Sequence, residues 1–254
     1  MSKRILLIGE SCVDVFVYGS CSRLCPDVPA QILDETHITE NGGMAMNVRN
    51  NIESLGGQVD ILTNEGWESI HKTRLCDEAS NYVFCRWDSK ANIERVKGLE
   101  NIRFSDYDLC AISDYNKGFL TNEDIWQISI KIPTFLDTKK KLSEDFNRVK
   151  YIKVNHLEYT NSKEFLTPRL ESKIIETLGP NGCRFQEENF PVKKLEVRSV
   201  SGAGDSFFAG LLVEYVQSQD IRKAIRFAND VSSIVITKKG VSTVSLEEAH
   251  SLHK

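Results

Sequence analysis

Eleven residues, Val200-Ser201-Gly202-Ala203-Gly204-Asp205-Ser206-Phe207-Phe208-Ala209-Gly210, join a run of small side chains to an acid and an apolar helical face. Gly202, Ala203 and Gly204 lack bulk, so a ligand can approach their backbone N–H groups closely. A helix beginning there directs its unpaired N–H groups and positive dipole end at the same point, which suits phosphate. Asp205, in the first turn, is placed to hold a hydroxyl and accept its proton while that oxygen attacks a phosphoryl group resting on the amides. A favourable first-turn acid after a glycine turn describes the same residues more simply. The stretch is not a Walker A loop, because no G-K-[ST] follows.

A second small-residue site, Asn41-Gly42-Gly43-Met44-Ala45-Met46-Asn47, opens another helix. Paired glycines let polyol hydroxyls reach main-chain groups, and Asn47 offers both a donor and an acceptor. An ordinary flexible loop before a capped helix is the alternative.

These residues need elements to position them. Strand candidates are Ile5–Ile8, Val59–Leu62, Leu109–Ile112, Thr134–Leu136, Tyr151–Val154 and Ile174–Leu178. Several are apolar at nearly every position, as strands covered on both faces are. Helical period is clear from Met44 (Val48, Ile52, Leu55, stopped by Gly56-Gly57), from Asp205 (Phe208, Leu211, Leu212, Tyr215) and from Arg222 (Ile225, Ala228, Val231, Ile234). This alternation predicts an α/β fold with a mainly parallel sheet in one domain, residues 1–254. Phe16–Tyr18 and Tyr82–Trp87, set among polar residues, are expected to form a small sheet outside the main layer.

Composition narrows the functional classes. The 254 residues carry 32 Lys and Arg against 36 Asp and Glu, a net charge of -4, so no basic excess points to nucleic acid. No apolar run approaches the roughly 20 residues of a membrane span, so no membrane partner is expected. The seven cysteines are scattered without C-x-x-C, and Ile5–Ile8 is too short for a signal-peptide core. Both features lead to the expectation of reduced thiols and a cytoplasmic location.

The two glycine sites, in this order after an early acid, resemble the ribokinase-like (PfkB-type) sugar kinase family. Gly9-Glu10-Ser11-Cys12-Val13-Asp14, Ser22-Arg23-Leu24-Cys25-Pro26-Asp27, Ser113-Asp114-Tyr115-Asn116-Lys117-Gly118 and Gly240-Val241-Ser242-Thr243-Val244-Ser245 look most like its heptose 7-phosphate kinase branch. The likeness extends over nearly the whole chain. It implies a three-layer αβα fold with a small β lid, its elements around residues 11–40 and 71–90. Asp205 becomes the catalytic base, with Gly202, Ala203 and Gly204 as the anion hole. Asp14, Gly42, Gly43 and Asn47 fall on sugar-contacting positions. Lys72-Thr73-Arg74 and Arg86-Trp87-Asp88 match a K-x-R and R-x-D pattern in the lid, so Arg74 and Arg86 are candidates for an anionic sugar phosphate. Exposed charges that keep a strand edge soluble are the competing account. Lys117 and Lys139 are weaker cationic candidates.

For the nucleotide, the resemblance implies ATP bordered by Thr177, Gly179 and Gly182 of a T-x-G-x-x-G turn, with Asn229 near adenine; a solvated polar residue is the other description of Asn229. Asn155 and Glu158 match an N-x-x-E motif that organises Mg²⁺ and phosphates, and a carboxylate with an amide oxygen suits that ion through water. N-x-x-E alone equally describes a surface helix. Trp67 and Trp126 are expected to pack, with Trp87 the one candidate for stacking.

Three departures from the family pattern stand out. Between Leu62 and His71 only Thr63-Asn64-Glu65-Gly66-Trp67-Glu68-Ser69-Ile70 replaces a longer helix-strand unit, so one flank of the sheet is abbreviated, and a homodimer that covers it is one expectation. The acid common before the anion hole is Ser199 here. No H-x-G-H is present, so the adenylyltransferase half fused to some heptose kinases is not expected. The expectation is thus an ATP-dependent kinase for a sugar hydroxyl, with heptose 7-phosphate giving the 1,7-bisphosphate. The alternatives are a catalytically silent sugar or nucleotide binder and a kinase for another sugar or nucleoside.

Overall fold

The computed structural model describes residues 3–251. The run Ile5-Leu6-Leu7-Ile8 requires cover on both faces, and β1 (Arg4–Gly9) receives it: Ile5 and Leu7 join one core, Leu6 and Ile8 the other. β1 lies between β4 (Gln58–Leu62) and β7 (Leu109–Asp114). Outward from β7 come β8 (Thr134–Thr138), β9 (Tyr151–Asn155), β10 (Ile174–Thr177), β11 (Cys183–Phe185) and β12 (Glu188–Phe190). Every pairing from β4 to β10 is parallel, and the last two are antiparallel.

Helices cover both faces of this sheet. α1 (Ala45–Ser54), α5 (Ala203–Ser218), α6 (Ile221–Val235) and α7 (Leu246–Ser251) build one core. α2 (Asn122–Ser129), α3 (His156–Ser162) and α4 (Pro168–Glu171) build the other. Local signals set the ends: Thr121 and Asp124 form a capping box on α2, and Asp220 accepts from the N–H groups of Arg222 and Lys223 at the start of α6. Phe208 of α5 is fully buried in the first core. Phe208→Ala is expected to lower stability by about 3–5 kcal/mol, read from a urea transition.

A second sheet stands apart, in the order β3-β2-β5-β6. It holds β2 (Ser11–Leu24), β3 (Gln31–Met44), β5 (His71–Asp77) and β6 (Val83–Asp88). Both segments expected outside the main layer are in it. Asn41, Gly42 and Gly43, read as a loop opening a helix, instead end the long strand β3, and α1 begins at Ala45. The shortened connection after β4 is a single 3-10 turn, Trp67–Ser69, and leaves β4 as the edge of the eight-stranded sheet.

Among the described residues no helix is long and apolar enough to cross a membrane.

Candidate active site

Parallel strands align their carboxyl ends, and ligands of open α/β sheets bind outside those ends. Here the register brings Ser113 of β7 beside Asp137 of β8, Asp137 beside Lys153 of β9, and Asn155 of β9 beside Thr177 of β10. Into this rim projects the start of α5. Gly202 caps it with φ of 80°, a left-handed conformation that favours glycine. A Cβ on Gly202 would stand 3.0 Å from Asn47 Nδ2, and one on Gly204 would stand 3.1 Å from Lys153 Nζ. An ammonium therefore lies beside the amides of the turn.

Asp205, half-buried, is held at both oxygens. Asn47 Nδ2 donates to Oδ2 at 2.7 Å, and the Tyr115 hydroxyl donates to Oδ1 at 2.8 Å. Asn51 Nδ2 fixes Asn47 by donating to its backbone and side-chain oxygens. Burial, reinforced by the charge of Asp137, raises the Asp205 carboxyl above its ordinary range, against the two donors and Lys153. Burial and the carboxylates of Asp205 and Asp137 hold the Tyr115 hydroxyl well above its usual range, so it stays a donor. Lys153, 4% exposed, donates to Asp137 Oδ2 at 2.8 Å.

The second sheet contributes the next group. Asp14 of β2 accepts from Arg74 Nη1 of β5 at 2.7 Å. Gly43 is required beside it, since a Cβ there would come within 2.4 Å of Asp14 Oδ2. The Lys72 ammonium lies 5.2 Å from the centre of the Tyr115 ring, and that of Lys139 lies 5.6 Å from it. Lys72 also bonds the buried Cys12 thiol, which burial nevertheless pushes up to about 11. A cavity of about 370 Å³ lined by Asn41, Asn47 and Asn50 opens from the same face. Asp205, Gly202–Gly204, Asn47, Gly43, Asp14 and Arg74 therefore belong to one continuous site.

Other candidates stand differently. Arg86 grips Asp88 with two nitrogens on the exposed strand β6, directly opposite Arg74. A Cβ on Gly42 would meet Met46 rather than the acid. The Lys117 side chain is exposed, while its backbone N–H donates to Glu10. Asn155 and Glu158 cap α3 reciprocally, and Glu158 also receives the Lys139 ammonium. Thr177 donates to the Val154 carbonyl, and Gly179 and Gly182, with φ of 56° and 81°, turn the chain from β10 into β11. Asn229 is neither solvated nor free: it is buried and donates to the Phe190 carbonyl at 2.9 Å, tying α6 to β12. Trp87 is 69% exposed, whereas Trp67 and Trp126 are half-buried.

The sequence reading gave no role to Tyr115, Asp137, Lys153 or Glu10. A shared signal was present, since Glu10 follows β1, Asp137 is the penultimate residue of β8 and Lys153 is the middle residue of β9, each a charge in or beside a mainly apolar strand.

Residues 130–249 match the pfkB family carbohydrate kinase profile. The bifunctional protein HldE of a Nitratiruptor species is 30% identical over 299 aligned positions, 98% of this chain and 64% of that protein. The HldE of Helicobacter pylori (strain J99) is 28% identical over 97% of this chain and 65% of that protein. The chain thus spans just under two thirds of the length of these relatives. Phosphofructokinase-2 from Escherichia coli, in complex with potassium, superposes with a TM-score of 0.74 at 15% identity, over 100% of this chain and 98% of that one. Arabidopsis thaliana ribokinase, complexed with ribose and ATP, gives 0.73 at 13% identity over 100% and 99%. Residues 130–249 are thus similar to the pfkB family of carbohydrate kinases, and the described residues take the αβα fold of these solved sugar kinases, with a small accessory sheet.

Proposed function

We propose that the protein is an ATP-dependent sugar kinase, and that its acceptor is a sugar phosphate, with heptose 7-phosphate converted to the 1,7-bisphosphate. The observation that carries this is Asp205, clamped by Asn47 and Tyr115 at the tip of α5 with Lys153 beside Gly204. A carboxyl raised by burial is a better proton acceptor than an exposed one, and the turn amides lie where transferring charge develops. In this reading the four-stranded sheet is the lid over the sugar, and Asp14 and Asn47 orient its hydroxyls. Arg74 and Arg86 face each other across β5 and β6, an arrangement that like charges disfavour without anions nearby. Asp14 and Asp88 supply part of that compensation, and a substrate phosphate supplies the rest.

Nucleotide phosphates are placed along Asn155, Glu158 and Lys139, with the base toward Thr177, Gly179 and Gly182. Asn229 serves there by holding the β12 backbone rather than by meeting adenine directly. Among the described residues no three His, Cys, Asp or Glu side chains gather as a metal cage. The donor set therefore fits Mg²⁺ only as an ion carried on phosphates, with Asn155 and Glu158 reaching it through water. When bound, it neutralises phosphate charge. A silent binding protein is the second reading, favoured by Ser199, whose hydroxyl merely accepts from the Ser201 N–H at 3.2 Å.

The test is ADP release with heptose 7-phosphate, the unphosphorylated heptose and a panel of pentoses, hexoses and nucleosides. Preference for the phosphorylated heptose supports the reading; a faster unphosphorylated sugar or nucleoside replaces the substrate; ligand affinity without acceptor-dependent ADP release establishes the silent binder. Gly43→Ala, by displacing Asp14 from Arg74, is expected to raise the sugar KM about tenfold with a smaller change in kcat.

A further inference from the structure

Glu10 is fully buried at the junction of β1 and β2, and none of the site's proposed chemistry uses it. Its two carboxylate oxygens accept the backbone N–H groups of Tyr115 and Lys117, each at 2.8 Å. Between these two residues Asn116 turns with φ of 56°, a conformation that needs support from its neighbours. Glu10 also accepts, through its backbone oxygen, the N–H of Ala45 at 2.9 Å, the first residue of α1. One residue thus ties together the loop that carries Tyr115 and the helix that carries Asn47. Those are the two side chains that donate to the two oxygens of Asp205.

We propose that Tyr115 is a positioning residue for the base, holding Asp205 through its hydroxyl, and that buried Glu10 holds Tyr115 in place. This rests on Asp205 being the base. The hydrogen bond from Tyr115 stabilises the ionised carboxylate. Other charges facing Asp205 are Asp137 from β8, Lys139 just after it and Lys153 from β9. Asp14 from β2 and Lys72 from β5 act on Tyr115. Their combined field stays constant when only the hydroxyl is removed. The phenyl ring of Tyr115→Phe keeps its packing beneath the two ammonium groups.

The experiment follows the Asp205 carboxyl carbon by NMR in aspartate-labelled full-length protein, its resonance identified by its loss in Asp205→Asn. Tyr115→Phe is expected to move the Asp205 titration midpoint upward by about one pH unit, because a donor to the ionised form is gone. Glu10→Gln is expected to move it the same way by less. This direction is diagnostic, since merely deleting a nearby negative charge would lower the midpoint. In the Tyr115→Phe background Glu10→Gln should no longer raise it. An unchanged midpoint in Tyr115→Phe overturns the proposal. A Glu10→Gln variant that fails to raise the midpoint, or raises it equally with and without the hydroxyl, overturns the Glu10 half. If Glu10→Gln does not fold, Glu10→Asp, with its shorter reach, carries the same expectation. The base assignment on which this rests fails separately, by undiminished turnover in Asp205→Asn, and the kinase reading fails by the absence of acceptor-dependent ADP release in the wild type.

Discussion

Asp205→Asn is expected to lower kcat by about 10²–10⁴-fold while leaving nucleotide and sugar affinity within a few-fold of wild type. The amide keeps the shape and still accepts from Asn47, but it takes no proton from a hydroxyl. Folding should survive. Burial raises the Asp205 carboxyl in the folded protein, so ionising it near neutral pH opposes folding. Its favourable contribution is present only at low pH and is lost as pH rises through the folded value, so the variant should melt at or above the wild-type temperature at neutral pH. The same shift fixes the sign of the pH profile. Wild-type kcat/KM should fall on the acid side at a pH above that of an ordinary carboxylate, and in the asparagine variant that limb should vanish from the residual rate. Steady-state kinetics with calorimetric binding checks both; a kcat within threefold of wild type contradicts the role.

Lys153→Ala is the second large effect. The Lys153 and Asp137 side chains are 5% and 7% exposed, with the ammonium and carboxylate 2.8 Å apart, so removing one partner leaves the other buried and unpaired. Loss of about 3–5 kcal/mol of stability is expected. Replacing both, Asp137→Leu with Lys153→Leu, should recover much of that loss, because no lone charge remains. Turnover should fall in both variants, since the positive charge beside Gly204 is absent from each. Guanidinium unfolding separates the cases: equal destabilisation of single and double variants would mean that the ion pair is not the cause.

How far the sequence revealed this site depended on what kind of pattern each part has. β1, β7, β8, β9 and β10 are apolar on both faces and were legible as buried strands. α1 and α6 have one apolar stripe each and were legible by period. β3 was not, because Gln31-Ile32-Leu33-Asp34-Glu35-Thr36-His37 is exposed along most of its length and its pairing with β2 comes from the backbone. α3 and α4, of seven and four residues, are too short to show a period, and β11 and β12 have three residues each. Asn155 and Glu158 drew attention as ligands, yet their spacing is also that of a capping box, the arrangement they adopt. Asp205 and Asn47 were legible because small residues precede each on a helix. Tyr115 was not, because its contact with Asp205 spans 90 residues of sequence and depends on a loop fixed by Glu10.

The most direct measurement is ³¹P NMR of the wild-type protein with ATP, Mg²⁺ and heptose 7-phosphate. A new sugar phosphate ester should grow in step with ADP, and the Asp205→Asn protein should leave both signals near background. ATP that stays intact, or that yields inorganic phosphate without an ester, would contradict phosphoryl transfer to a sugar at this site.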